Sequence, residues 1–287
     1  MRSGEVMNDV SDTARWVAHY RALESARADA LFRDPLAGRL AGEKGRRMAE
    51  RMAKLALPWA IAVRTRVYDE LLLDAIEQDG ADAVVNLAAG MDARPYRLRL
   101  PSALRWIELD LPQIMEEKRA LLAGENASCA VEHVGLDLAD RRALRAQLER
   151  IASRFSSVVV VTEGLLAYLD EGTVSALAKE LFACSPIRSW VLEAALPEVL
   201  ARNERAWGKQ FERAGARMKF APLSGIPWFC DFGWKVRTER SCLLEARRLG
   251  REPRFARLLH FMKGLTPGGR EWLRKVVVYG VLERGAS

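Results

Sequence analysis

Three carboxylates and one amide stand at the ends of successive short apolar runs in this 287-residue chain. "VVNLAAGMDARPYRL" (84–98) carries Asn86 and then the small-residue turn Ala88-Ala89-Gly90. "LRWIELDL" (104–111) closes on Asp110, "CAVEHVGLDL" (129–138) on Asp137 and Leu138, and "SSVVVVTEGLL" (156–166) contains Glu163. An acid at a strand end caps the following helix as readily as it holds a ligand, and Asp110 before Pro112 or Asp137 before Asp140 suits either role. Their recurrence at the same end of consecutive runs favours a ligand, because open α/β sheets bind in the crevice outside the carboxyl ends of their strands.

The chemistry follows from the residue types. An acid closing the second strand is placed to accept both hydroxyls of a ribose, and a turn of small residues lets backbone approach a ligand closely. The phosphate-cradling pattern G-x-x-x-x-G-K-[ST] is absent. Asp92, just past the turn, repels a pyrophosphate and tolerates a cation. Adenosine with a positively charged, phosphate-free tail describes S-adenosylmethionine, and Arg64 or Arg66 is available to pair with its carboxylate.

The elements that position these residues read from periodicity. Residues 11–28, 34–43 and 46–78 have helical spacing, with Ser11 or Asp12 as N-cap and Pro58 breaking the last stretch. From residue 81 short apolar runs at 83–88, 104–111, 129–138, 156–166 and 189–196 alternate with helical patterns near 112–124, 140–153 and 171–184. That alternation predicts right-handed βαβ units and a parallel sheet. "VVVV" (158–161) reads as a strand buried on both faces. Helical sequence after Pro197 precedes two closing runs, "WKVRTE" and "RKVVVYGVL". The expectation is an α/β, doubly wound, Rossmann-like fold with a seven-stranded, mostly parallel sheet. It forms one domain over 1–287, made of a helical cap (11–78), a cofactor-binding core (81–196), a lid insertion (197–231) and closing strands and helices (232–287).

Composition narrows the function. With 49% hydrophobic residues and 8 Trp, the chain can bury a large core. No apolar run approaches the ~20 residues that span a bilayer, and the first residues lack a signal peptide's apolar stretch, so a cytoplasmic protein without membrane attachment is expected. Cys129, Cys184, Cys230 and Cys242 are widely spaced, as are His19, His133 and His260, and no metal site is expected. The net charge of +7, from 45 Lys+Arg against 38 Asp+Glu, raises nucleic-acid binding as a rival. The basic residues are interleaved with acids along the whole chain, which reads as a solvated mixed-charge surface or a preference for an anionic small substrate.

The segments 13–42, "VRTRVYDELL" (63–72), 84–98 with "WIELDLP" (106–112), and "VVTEGLLAYL" (160–169) resemble the leucine carboxyl methyltransferase family of class I S-adenosylmethionine-dependent methyltransferases. The resemblance is to its bacterial polyketide O-methyltransferases of the tetracenomycin carboxyl methyltransferase type, with "FGWKV" (232–236) a weaker match. It implies that Arg64 grips the methionine carboxylate, Ala88 and Gly90 pass the cofactor, and Asp110 holds the ribose. It further implies that Asp137 and Leu138 flank the adenine and that Glu163 lies near the amino or sulfonium group. Either Arg15 or Arg21 supplies the family's N-terminal basic residue. Ala88 stands where the family has Gly, a harmless change if its φ is negative, and that is the expectation. The implied activity is methyl-esterification of a small polyketide-like acid; a carboxylate needs no general base. Tyr168, Trp228, Phe229 and Trp234 are candidates to align its body, or simply core residues. The alternative is a hydroxyl or phenol O-methyltransferase using His19, His133, an acid or a Tyr as base.

Overall fold

The computed structural model describes residues 11–52, 58–213 and 217–285. Seven strands form one sheet: β1 (Ala83–Leu87), β2 (Arg105–Asp110), β3 (Ala130–Gly135), β4 (Val158–Val161), β5 (Ile187–Ala195), β6 (Trp234–Ser241) and β7 (Val277–Arg284), in the order β3-β2-β1-β4-β5-β7-β6. The first five are mutually parallel, whereas β7 runs antiparallel to both β5 and β6. Strand order reverses between β1 and β4, so the carboxyl ends of these two open the crevice expected of a doubly wound sheet.

The two-residue period of a strand explains why each apolar run is continuous. Val85, Leu87, Ile107, Leu109, Val158 and Val160 face one layer, where α6 (Arg141–Arg154) and α7 (Glu171–Ala183) pack. Val84, Trp106, Val159 and Val161 face the other, covered by α3 (Pro58–Gln78) and α9 (Cys242–Arg248). "VVVV" is buried at all four positions. On one side of this three-layer body, α1 (Ser11–Ser25) and α2 (Ala37–Met52) pack with α5 (Pro112–Leu121) onto the turn that follows β1 and leads into the short α4 (Arg94–Arg97).

Some boundaries differ from expectation. The two N-terminal helical patterns 34–43 and 46–78 regroup, with α2 kinked at Gly42 (φ 57, ψ −172), where a residue without Cβ reverses the backbone. Residues 53–57, ahead of the expected break at Pro58, lie outside the described residues, as do the side chains of Ser11 and Asp12. The segment between β5 and β6 contains α8 (Pro197–Arg213). Further helices, α9, α10 (Arg254–Gly264) and α11 (Pro267–Lys275), separate β6 from β7. No helix among the described residues is long and apolar enough to cross a membrane.

The turn after β1 corrects the expectation for Ala88. Its φ is +54, so it occupies the left-handed region, followed at one residue's remove by Gly90 at φ +47. The chain must turn out of the buried strand and present amide groups within a few residues. A Cβ on Gly90 would sit 2.9 Å from the Cβ of Ala14, so α1 packs directly on this turn. An L-residue in the left-handed region costs about 1–2 kcal/mol, while glycine's larger unfolded-state entropy takes back about 0.4–1 kcal/mol. Ala88→Gly is therefore expected to stabilise the protein by roughly 0.5–1 kcal/mol, read as a thermal midpoint higher by about 1–4 °C. An unchanged or lower midpoint contradicts the strain.

Candidate active site

A cavity of about 820 Å³ opens at the carboxyl ends of the parallel strands and at the start of β7. Arg64, Ala88, Gly90, Asp110, Asp137, Leu138 and Glu163 all line it, as does Tyr168. The structure thus brings together residues spread over a hundred positions of sequence. It also separates the paired alternatives. Arg64 faces the cavity, whereas Arg66 pairs with Glu70 one helical turn on, at 2.7 Å. Arg21 borders the cavity while holding Asp34 at 2.9 Å; Arg15 turns to Glu117 and the Leu40 carbonyl.

Trp228, Phe229 and Trp234 do not line it. Phe229 and Trp234 pack edge-on against Trp190 in the core, at ring-centroid distances of 5.0 and 5.7 Å. Trp228 lies behind Phe220, 4.9 Å between centroids, and it is Phe220 that reaches the cavity. Among the described residues no histidine lines the cavity. His133 is 3.3 Å from Glu108, which also pairs with Lys118 beneath β2.

The floor is an ion network centred on Arg94, whose side chain is 3% exposed. Its Nε donates to Asp69 on α3 at 2.7 Å, its Nη1 to Asp92 at 2.8 Å, and its Nη2 reaches Glu163 at 2.7 Å. Arg97 adds two bonds to Asp69, both 2.6 Å. Asp92 also accepts the Asn86 side-chain amide at 2.9 Å and the Arg94 backbone N–H. Burial alone would raise the Asp92 carboxyl, but Arg94, Lys118, Arg21 and Arg97 outweigh it and hold it well below its ordinary range. Asp92 is therefore committed to the protein's own arginines, which corrects its reading as a discriminator between ligand tails. Glu163 is lowered for the same reason: burial opposes ionisation, and Arg94 and Arg64 overcome it.

Other groups keep capacity for a ligand. Asp110 accepts one N–H at each oxygen, from Gly90 and Leu111, both at 2.7 Å, leaving one lone pair per oxygen. Its pKa is raised, burial being the main cause. Such a carboxylate, desolvated and half-satisfied, suits a vicinal diol. Arg64 Nε lies 2.9 Å from Glu163 without the alignment of a hydrogen bond, and its terminal nitrogens make none among the described residues. A buried guanidinium with unused donors fits a ligand carboxylate. With the small-residue turn, these features fit an adenosyl amino acid.

Residues that pattern reading overlooked belong to the same edge. Glu193, near the end of β5, lines the cavity, as do Tyr279 on β7 and Cys242 on α9. Glu193 carries the signal used for the other strands, an acid near the end of an apolar run, in "SWVLEAAL". Asp69 has a weaker one, a lone acid among the buried positions of α3.

The sequence profile of the leucine carboxyl methyltransferase family matches residues 14–182. A Mycobacterium marinum protein, named a candidate S-adenosyl-L-methionine-dependent methyltransferase, is 30% identical over 274 residues, covering 87% of each chain. A Streptomyces coelicolor protein of the same description is 37% identical over 175 residues, 58% of this chain and 62% of its own length. The crystal structure of a candidate methyltransferase from Thermobifida fusca superposes with a TM-score of 0.62 at 16% identity, covering 98% of this chain and 96% of that one, which shows a shared fold. The chain belongs to the leucine carboxyl methyltransferase family. It is an S-adenosyl-L-methionine-dependent methyltransferase.

Two outcomes test this geometry. Asp110→Ala is expected to weaken S-adenosylmethionine binding at least tenfold by isothermal titration, the loss of about 1.4 kcal/mol or more; unchanged affinity removes the ribose assignment. Arg94→Met leaves buried carboxylates without their cation and is expected to cost roughly 3–5 kcal/mol in denaturant unfolding. Because Arg94 depresses Asp92 and Glu163, the wild type gains stability above the ordinary carboxylate range near pH 4 and loses it as pH falls towards their lowered values. The variant should lose less on the same acid titration, and equal acid sensitivity contradicts the network.

Proposed function

We propose that this methyltransferase esterifies the carboxylate of a small, largely apolar acid. Beyond the turn after β1, much of the cavity wall is apolar, with Trp59, Ile61, Val199, Phe220, Leu259 and Trp272 beside the polar Arg202, Asn203 and Lys219. This observation carries the reading, together with the ionisable groups set among those residues. Burial pushes the Tyr168 hydroxyl up to about 12 and the Cys242 thiol up to about 11, so both are protonated at neutral pH and neither is a ready base. An acceptor carboxylate, with a reference pKa near 4, needs none.

Bound S-adenosylmethionine supplies an electrophilic methyl group on a sulfonium. In this reading Asp110 accepts the ribose hydroxyls, Asp137 and Leu138 flank the adenine, and Ala88 and Gly90 let the backbone run close beside the nucleoside. Arg64 takes the amino-acid carboxylate on its unused nitrogens, and Glu163, fixed in its ionised form by two arginines, faces the cationic end. The apolar wall, including α8 through Val199 and Leu200, holds the acceptor's body and excludes water. Alignment of nucleophile and methyl group can contribute up to about 7–11 kcal/mol. Arg202 and Lys219, exposed at the cavity lining, attract an anion from solution.

One residue favours a hydroxyl acceptor instead. Glu193 is raised above the ordinary carboxyl range, chiefly by burial, which is the property of a general base. Incubation with methyl-labelled cofactor and a panel of flat apolar acids and matching phenols, 2-naphthoic acid against 2-naphthol among them, separates the readings. Ester formation predicts a labelled product cleaved by mild alkali and a rate that does not rise with pH between about 6 and 8, well above an acceptor pKa of about 4. Alkali-stable ethers, formed faster as pH rises, overturn it.

A further inference from the structure

We propose that Glu193 is an acceptor-binding residue that works as a neutral carboxylic acid, donating its O–H to the carboxylate being methylated. The inference rests on the carboxyl-acceptor reading and adds the group that recognises it. Glu193 is the lone acid near the carboxyl end of β5, paired across the antiparallel ladder with Tyr279 at the start of β7. Its Oε1 accepts the Gly164 N–H at 2.8 Å, while Oε2 has no partner among the described residues. The side chain is 18% exposed, and it borders the cavity.

The groups facing Glu193 decide its charge. Arg64 and Tyr68 come from α3, Glu163 and Gly164 from the loop after β4, Tyr279 from β7 and Cys242 from α9. Arg64 is the single cation in this set, its Nη1 3.7 Å from Glu193 Oε1 and its Nε 2.9 Å from Glu163. Glu163 has a second cation, Arg94, at 2.7 Å; Glu193 has none. Two carboxylates competing for one guanidinium do not ionise equally, and the one with fewer partners holds its proton to higher pH. The direction of the two shifts agrees, with Glu163 lowered and Glu193 raised, burial being the leading cause at Glu193.

In the proposed reading the donor's amino-acid carboxylate takes the free nitrogens of Arg64, which leaves Glu193 a still smaller share of that cation, and the acceptor's carboxylate arrives next to Glu193. An ionised Glu193 would repel it; a protonated one offers the hydrogen bond that an anion favours. In the transfer itself a C–O bond forms at the acceptor's free oxygen, the S–C bond of the donor breaks, and its electron pair returns to sulfur. No proton moves, so Glu193 carries the same proton before and after. The product ester is a weaker acceptor than the carboxylate, which loosens the contact once methylation is complete.

Glu193→Gln keeps the shape, the Gly164 contact and a donor, whereas Glu193→Ala removes the donor. With S-adenosylhomocysteine bound, 2-naphthoate titrated by fluorescence is expected to bind wild type and Glu193→Gln within about twofold and Glu193→Ala about tenfold more weakly, while 2-naphthol changes little. Difference infrared spectra of ligand-free wild type minus Glu193→Gln at neutral pH should show a protonated carboxylic C=O band. Loss of naphthoate binding in Glu193→Gln equal to that in Glu193→Ala, absence of the infrared band, or no preference of wild type for naphthoate over naphthol overturns the proposal. If alkali-labile esters still form in those cases, the carboxyl-acceptor reading survives without it. If wild type makes alkali-stable ethers and Glu193→Gln abolishes them, that reading fails and Glu193 is a base.

Discussion

One buried guanidinium organises the cavity. Arg94 is never deprotonated under native conditions, so the fold must surround it with charge or hydrogen-bond acceptors to bury it at all. It does so with Asp69 on α3, Asp92 in the turn after β1 and Glu163 after β4. These carboxylates come from three separate stretches of chain and approach from three directions, so satisfying one cation fixes a helix, a turn and a strand end relative to one another. Its guanidinium also lies 5.7 Å from the Tyr68 ring centroid. Such a cluster contributes little net stability compared with an apolar replacement of the same shape. What it provides is a defined position for Glu163 and for the Ala88–Gly90 turn, which an apolar floor would leave free to repack.

The same economy governs the turn. A strand buried on both faces has no room to end gradually, so β1 stops and the backbone enters the left-handed region within one residue, at Ala88. Strain of this kind persists only where the surroundings over-determine it. Here the Asn86–Asp92 hydrogen bond, the Gly90 amide on Asp110 and the close approach of Ala14 supply the constraint. The amide of Gly90 thereby orients Asp110, so the acid proposed to hold the ribose and the strained turn are parts of one device.

The strands were legible in the sequence because the central ones, β1 and β4, are buried on both faces and read as continuous apolar runs, and the acids because they stand where such runs end. All of β1 to β5 fall within or overlap the apolar runs, and Asp110, Asp137 and Glu163 meet at one edge as that pattern requires. Glu193 carries the same signal one strand further on, but it lies in none of the segments that carry the resemblance, which skip from 169 to 232. Arg94 was less legible: an arginine before a proline reads as a loop residue, and two of the three carboxylates that surround it lie 25 and 69 positions away. The φ of Ala88 is not legible from size, because it is set by the hydrogen bonds that close the turn, Asn86 to Asp92 and Gly90 to Asp110. Trp228 illustrates the opposite limit, since an aromatic-rich stretch reads alike whether it faces a ligand or, as here, backs a core residue that does. Helices are expected among the closing strands of 232–287 without being located, and the share of α10 and α11 in the cavity wall, through Leu259 and Trp272, depends on the antiparallel insertion of β7 that no local pattern announces.

The pairing of an apolar chamber with charged residues at its inner end has a direct consequence for rate. Methylation of a carboxylate by a sulfonium destroys one positive and one negative charge, so charge separation diminishes towards the transition state. Moving such a reaction from water into a drier site reduces solvent reorganisation, provided fixed dipoles hold the reactants in place of water. The protein meets that condition with charges that do not change during the reaction: Arg94 and Glu163 are locked to each other, and Asp110 is held by two backbone N–H groups. A hydroxyl acceptor would instead require a proton to be moved and a new carboxylic acid to form within the same walls. The fixed, mutually compensated ions around the chamber are the feature on which the proposed carboxylate acceptor, arriving charged and leaving neutral, rests.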